Sequence, residues 1–388
     1  MTEAKVLALE SLQVEKIHEL IRSPGPCITL LLPPYRPGEQ ATPLPTLLKS
    51  KLQEAMRLLT QAGITESVIR DLLEPLAQLA ADPDSLEGSH WGRAIFRSLN
   101  VFHQFAVTEF AKPLLQVGGC FEIRPILTEL HSPSEFFLLR LSKKDVEVFR
   151  CAGLKAESLE LPKGVPHTLE EALAFKPPDH DLENRSSAGN STGAMRGVRF
   201  GTGSARETQS TYLADFYKAV DRGVRQLLGA ASEAPLVLAG VDEDTVLYRM
   251  INKYPNLLAR SIHGSPGGGM EHDILPQACA IVQSDCAERA VGALQDSKER
   301  LAPARFSTGL SSILRAAVEG RVARLYIDAA AQMSGAFEGT RKAGLGHWGE
   351  EDLLNIAAVE TMLQGGLAFV LPTGRIPDGA SIAAVLRF

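Results

Sequence analysis

Phe136-Phe137-Leu138-Leu139-Arg140-Leu141, then Lys143-Lys144-Asp145, then Val146-Glu147-Val148-Phe149, reads as two apolar runs of strand length joined by a short polar turn. That pattern predicts a β-hairpin opening a new stretch of sheet. Toward the C-terminus a helix is expected from about Glu207 to Leu228. After Pro235, the run Leu236-Val237-Leu238-Ala239-Gly240 has the continuous apolar character of a parallel strand covered on both faces. Asp242-Glu243-Asp244 then opens another helix. Between hairpin and long helix, Pro162 to Gly203 has no period beyond a short helix at Thr168–Phe175, and so long a loop is uncommon unless functional or unstructured. The middle of the chain is thus a sheet flanked by helices.

On the N-terminal side, Val6 to Ile21 is helix-like, Pro24-Gly25-Pro26 breaks the chain, and Cys27-Ile28-Thr29-Leu30-Leu31-Leu32 has buried-strand length before Pro33-Pro34. Leu44, Leu47, Leu48, Leu52, Ala55, Met56 and Leu59 recur at three and four, a helix stopped by Gly63, and a second helix is expected at Glu66–Ala80. Trp91–Arg97 and Gln104–Glu109 read as a strand pair, with Leu114–Leu127 leading out. Beyond the glycine-rich break Gly264–Gly269, helices at Ile274–Leu301, Ser311–Glu319 and Glu350–Gln364 alternate with strands at Arg324–Ile327, Leu367–Leu371 and Ala383–Phe388. Such alternation implies an α/β layered structure.

The 388 residues suit two to three domains, and 45% hydrophobic with 22% charged residues is ordinary for a globular protein. No apolar run approaches a membrane span, and the start of the chain, with Glu3, Glu10 and Glu15, does not read as a secretory signal, so a cytoplasmic protein with no membrane partner is expected. The five scattered cysteines, Cys27, Cys120, Cys151, Cys279 and Cys286, suit reduced thiols, and no zinc spacing is present. A formal charge of -6 excludes a protein that coats nucleic acid through its average field, so any RNA contact falls to local patches, and no DNA partner is expected. One patch stands out. Arg185, Arg196, Arg199 and Arg206 lie in a stretch made mostly of Gly, Ser, Thr, Ala and Asn with no acid from Arg185 to Arg206. Glycines keep its backbone pliable, and arginine forks can bridge phosphates, so the loop reads equally as a segment that orders on RNA or as a solvated surface loop.

Other motifs weigh less. Gly189-Asn190-Ser191-Thr192-Gly193 fits the serine-hydrolase elbow in letters, but the polar Glu183–Ser187 before it cannot be the buried strand that the strained turn needs. Gly201-Thr202-Gly203 starts a dinucleotide fingerprint, yet Arg206 stands where the third glycine belongs. Asp242-Glu243-Asp244 follows a buried strand, where open sheets place ligands, but an N-cap with acids in the first turn accounts for it better than a metal does. His263 and His272 flank the glycine break as solvated loop histidines, and Trp91 and Trp348 read as packing residues.

Several separated stretches resemble the bacterial archaeo-eukaryotic release factor family, relatives of eukaryotic class-one release factor, Pelota and the hibernation factor Balon. Cys27–Gly38 is similar to the strand and proline-rich turn opening the family's first domain, while Trp91–Phe96 and Val117–Leu127 resemble its later strands and exit. The hairpin, glycine loop, long helix and Pro235–Gly240 strand follow the order of the family's middle domain. Gly320–Ile327 and Ala383–Phe388 resemble its third. The resemblance covers nearly the whole chain. It implies an α/β (α+β multidomain) protein: an N-terminal mixed α/β domain over 1–132, a middle ribonuclease-H-like domain over 133–265 carrying the Gly/Arg loop 185–206, and a C-terminal α/β sandwich like kink-turn-binding ribosomal proteins over 266–388.

The resemblance further implies a ribosome-associated translation factor that binds the A site, for rescue, hibernation or stress protection. Its partners would be the ribosome, ribosomal RNA or tRNA, and a translational GTPase, with no cofactor and no metal. In the related release factors a Gly-Gly-Gln loop reaches the peptidyl-transferase centre. Here the triplet is missing, and in Gly201-Thr202-Gly203-Ser204-Ala205-Arg206-Glu207-Thr208-Gln209 the glutamine is displaced toward the helix. Ester hydrolysis depends on fine placement of a water and of the developing oxyanion, so peptide release is not expected, and Gln209 would be catalytic only if the protein were a peptidyl-tRNA hydrolase. A non-catalytic protein-interaction scaffold is the third reading. The RNA-binding residues expected are Arg185, Arg196, Arg199, Gly201, Gly203 and Arg206.

Overall fold

The computed structural model describes residues 14–34, 42–87, 91–108, 113–175, 203–229, 233–264, 270, 274–336, 348 and 351–388. The chain divides into two compact units, one of Met1–Ser134, Gly153–Lys155 and Gly268–Phe388, the other of Glu135–Ala152 and Ala156–Gly267. The second unit begins at Glu135, the start of the hairpin. The glycine break at 264–269 lies largely outside the described residues.

The first part of the larger unit runs α1 (Val14–Arg22), β1 (Cys27–Leu32), α2 (Leu44–Gln61), α3 (Glu66–Ala80), α4 (Pro83–Glu87), β2 (Gly92–Arg97), β3 (Phe102–Val107), β4 (Leu114–Gly118) and α5 (Arg124–Leu130). Its four strands form an antiparallel sheet in the order β3-β2-β1-β4. Side chains alternate across a strand, so β1 serves two cores: Ile28, Leu30 and Leu32 pack with Leu48, Leu52, Leu59, Leu72 and Leu76 of α2 and α3, while Cys27 and Leu31 face the other way.

The smaller unit holds β5 (Glu135–Leu141), β6 (Glu147–Ala152), β7 (Lys155–Leu159), α6 (Leu169–Phe175), α7 (Gly203–Leu228), β8 (Leu236–Gly240), α8 (Asp242–Ile251) and β9 (Leu257–His263). Its sheet order is β7-β6-β5-β8-β9, with β5–β6 antiparallel and β5–β8 and β8–β9 parallel. This mixed five-stranded order is that of ribonuclease-H-like domains. Strand β8, 236–240, is buried at every position, which is why its sequence shows no alternation. Strands β7 and β9 have no counterpart in the sequence-based expectation, and α7 starts at Gly203 rather than near Glu207.

The rest of the larger unit comprises α9 (Leu275–Arg300), β10 (Phe306–Ser307), α10 (Leu310–Val318), β11 (Val322–Asp328), the two-residue strands β12 (Ser334–Gly335) and β13 (Glu351–Asp352), α11 (Leu353–Leu363), β14 (Leu367–Leu371) and β15 (Ile382–Leu386). Its main sheet, β10-β15-β11-β14, is a helix sandwich. Leu325 and Ile327 of β11 pack with α10 and α11, while Tyr326 between them packs with Val291 and Leu294 of α9. The α/β sandwich expected for 266–388 is present.

The two parts of this unit share one core. Leu31, Phe96, Phe105 and Val107 of the first sheet join Ile313, Leu314, Ala357, Ala358 and Leu354 in a single buried cluster. A polar seam runs beside it. Asn355, 4% exposed, accepts from the Ile123 amide at 3.0 Å and donates to the Phe121 carbonyl at 2.9 Å. Arg124 binds Glu122 at 2.8 Å, Asp352 at 2.6 Å and the Ala331 carbonyl at 2.9 Å, while Asp352 also caps α11. Gly119 donates to Glu351 at 3.1 Å, and a Cβ there would lie 3.0 Å from Trp348 Cδ1, so a larger residue would crowd the indole. Trp348 is a packing residue, as its sequence reading holds.

Candidate functional site

Helix α7 is the platform of the smaller unit. Leu213, Phe216, Tyr217, Val220, Val224 and Leu228 recur at three and four and form its buried face. The helix is 26 residues long and begins at Gly203. Arg185, Arg196, Arg199 and Gly201 lie outside the described residues, as do the whole of 189–193 and His272. Gly203 is the first helical residue, and Arg206 and Gln209 follow on the first two turns. Gln209 is thus a helical residue rather than the tip of a glycine loop.

A second place of interest is the carboxyl edge of the parallel strands β5, β8 and β9, where open sheets commonly bind ligands. Lys143, after β5, donates to Glu243 at 3.1 Å. His263, at the end of β9, pairs with Asp242, Nδ1 to Oδ1, at 2.5 Å. His263 is therefore a strand-end residue with an acidic partner, not a lone loop histidine, because β9 extends through it. The N-cap of α8 is Val241 without a side-chain cap, so Asp242, Glu243 and Asp244 occupy the first turn and interact with the helix dipole from inside the helix. Asp242 is engaged by the His263 ring and Glu243 by the Lys143 ammonium. Among the described residues no group of three or more His, Cys, Asp or Glu is gathered to hold a metal.

Asp244 behaves differently. It is 2% exposed, and burial raises its carboxyl above the ordinary range, an effect that Tyr217 beside it partly offsets. Burial likewise pushes the Tyr217 and Tyr248 hydroxyls well up. Tyr217 and Asp244 are close enough for a hydrogen-bond influence on one another, yet among the described residues Asp244 Oδ1 and both hydroxyls lack a partner in good hydrogen-bond geometry. Buried polar atoms left this way cost stability and occur few to a domain. The sequence reading had no hold on this trio, since Tyr217 and Tyr248 look like ordinary apolar-face residues of α7 and α8.

Solved structures similar to this chain include an archaeal translation termination factor, aRF1, at 15% identity over 100% of this chain and 99% of that one, with a TM-score of 0.24. Pelota from Archaeoglobus fulgidus is 12% identical over 77% of this chain and 80% of its own, with a TM-score of 0.34. Dom34 from S. cerevisiae, described as a translation termination-like factor, is 12% identical over the same shares of each chain, at 0.29. Scores of this size establish neither a common overall arrangement nor a function. No curated protein matches the chain. The sequence of residues 135–321, from the first strand of the five-stranded sheet into the following sandwich, does match a family model, that of bacterial archaeo-eukaryotic release factor family 3.

Proposed function

We propose that this protein is a ribosome-associated translation factor of release-factor type that occupies the A site without releasing peptide, in rescue, hibernation or stress protection. The observation carrying the reading is the family match over 135–321. Gln209 lies within α7, where a helical backbone holds it away from the flexible glycine setting that water placement in the peptidyl-transferase centre requires. Arg185, Arg196, Arg199 and Arg206, with Gly201 and Gly203, are assigned to ribosomal RNA or tRNA. Segments 1–132, 133–265 and 266–388 are taken as three functional parts, the last offering its helices to a translational GTPase.

Ribosome co-sedimentation between about 50 and 200 mM salt, paired with peptide release from stalled ribosomes, tests the reading. The protein should pellet with ribosomes, bind less well at higher salt, and release no peptide above background. Replacing Arg196, Arg199 and Arg206 together with Ala should weaken pelleting by about tenfold or more. Release that is lost in Gln209→Ala at unchanged affinity would instead identify a peptidyl-tRNA hydrolase. Absence of pelleting at low salt would leave the scaffold reading.

A further inference from the structure

The smaller unit has a groove of about 540 Å³ bounded by the 164–166 turn, α6, the exposed side of α7 and the turn after α8. Its four cations, Lys218, Arg222, Arg225 and Lys253, outnumber the carboxylates of Asp215 and Asp221, against a whole-chain charge of -6. Lys218, Arg222 and Arg225 sit at i, i+4 and i+7 on α7, so the helix presents them as one stripe about 10 Å long.

The groove is organised around one buried carboxylate. Asp221, 2% exposed, accepts from Arg225 Nε at 3.0 Å and from the Lys253 amide at 3.1 Å. It therefore holds Arg225 in place and fixes the turn that carries Lys253. Close approach sets the opposite wall: a Cβ on Gly223 would fall 2.6 Å from Val165 Cγ2, so glycine lets the 162–168 segment pack directly on α7. Lys218 is paired with Asp215 at 3.0 Å, but Arg222 and Lys253 are exposed and have no ion-pair partner among the described residues. Tyr212, half-buried on the same groove, adds an aromatic ring.

Cations in a stripe beside an aromatic ring match the chemistry of a single nucleic-acid strand, whose phosphates need separated positive charges and whose bases stack without regard to sequence. We propose that this groove is a second RNA site, distinct from the Gly/Arg loop, that holds a single-stranded RNA segment with Arg222, Arg225 and Lys253 on phosphates and Tyr212 against a base. This rests on and deepens the translation-factor reading by naming RNA as the ligand of residues outside the 185–206 stretch.

The test is fluorescence anisotropy of a labelled single-stranded uridine oligonucleotide with the full chain, over a salt series. Arg222→Glu with Lys253→Glu, both at exposed positions, should lower affinity by about tenfold or more and reduce the salt slope by about 1.4, at roughly 0.7 per lost phosphate contact. Tyr212→Ala should weaken binding with the salt slope unchanged. Unaltered affinity in the double charge reversal, with binding lost only when Arg196, Arg199 and Arg206 are changed, would overturn the proposal. So would a phosphoserine peptide that binds more tightly than the oligonucleotide, or Tyr212→Ala without effect. Ribosome pelleting of the unaltered protein separates the two readings. Groove-dependent RNA binding without pelleting removes the A-site function and keeps the groove, whereas pelleting unaffected by the charge reversal, with no oligonucleotide bound, does the reverse.

Discussion

Two buried polar clusters, one in the larger unit and one in the smaller, are built in opposite ways. In the larger, Arg124, Glu122, Asp352 and Asn355 are linked by hydrogen bonds that join β4–α5 to the start of α11. In the smaller, Asp244 Oδ1 and the Tyr217 and Tyr248 hydroxyls are equally buried and have no partner in good geometry among the described residues. A satisfied network specifies one arrangement, because breaking any member leaves a charge or dipole stranded in low dielectric. An unsatisfied trio gives up stability that conservative replacement can recover. The polar seam of the larger unit is thus a joint, and the polar trio of the smaller one a soft spot under α7 and α8.

The largest expected effect is on the joint. Arg124→Ala strands Glu122, 3% exposed, and Asp352 without their cation, and should destabilise the larger unit by about 3 to 5 kcal/mol. Both tryptophans, Trp91 and Trp348, lie in that unit, so urea unfolding followed by indole fluorescence reads it selectively. A fluorescence midpoint unchanged in Arg124→Ala would erase the contrast drawn between the units.

A smaller effect of opposite sign is expected in the soft spot. Asp244→Asn should stabilise the smaller unit by about 1 kcal/mol at neutral pH, read by tyrosine absorbance or circular dichroism while indole fluorescence stays put. The pH dependence follows from the raised carboxyl. The folded state binds the Asp244 proton more tightly than the unfolded state does, so this contribution is full below the ordinary value of 3.8 and is lost as pH rises through the raised folded value. Asp244→Asn should remove that decline. Destabilisation instead would mean that the carboxylate is satisfied by a group that this comparison treats as missing.

The smallest effects belong to the exposed pairs at the strand ends. Lys143→Ala and His263→Ala should each shift stability of the smaller unit by no more than about 0.5 kcal/mol, and less at high salt. A larger loss would show that the edge of β5, β8 and β9 acts as a network comparable to the joint.

Where local pattern determines structure, the sequence was readable. Glu66–Ala80 is a helix over the expected span, Cys27–Leu32 and Leu236–Gly240 are strands, and the 136–149 hairpin opens a unit. Strand β7, Lys-Ala-Glu-Ser-Leu, escaped because a solvent-facing edge strand need not be apolar, and β9 because Arg260 and Ser261 interrupt its run where the register shifts. The joint was illegible for a different reason. Helix α11 is buried nearly all round from Leu354 to Thr361, a pattern that announces burial but not the distant sheet that supplies it. In the groove, the sequence reading passed over Lys218, Arg222 and Arg225 although their spacing is helical, and the role of the buried Asp221 beside them depends on the turn after α8, remote in sequence.

The shared core of the larger unit has a consequence for how the protein is made. Leu31, Phe96, Phe105 and Val107 are covered by α10 and α11, and α10 begins at Leu310, roughly 200 residues after β3. At a synthesis rate of about 5 to 20 residues per second, that apolar sheet face waits roughly 10 to 40 s for its cover, while the smaller unit between can close its own core in the interval. The nascent first sheet is therefore the stretch of this chain most in need of a chaperone. Nascent chains arrested after residue 267 should bind a hydrophobic-surface dye more strongly than chains arrested beyond residue 388; equal binding would mean that the first sheet covers that face by itself.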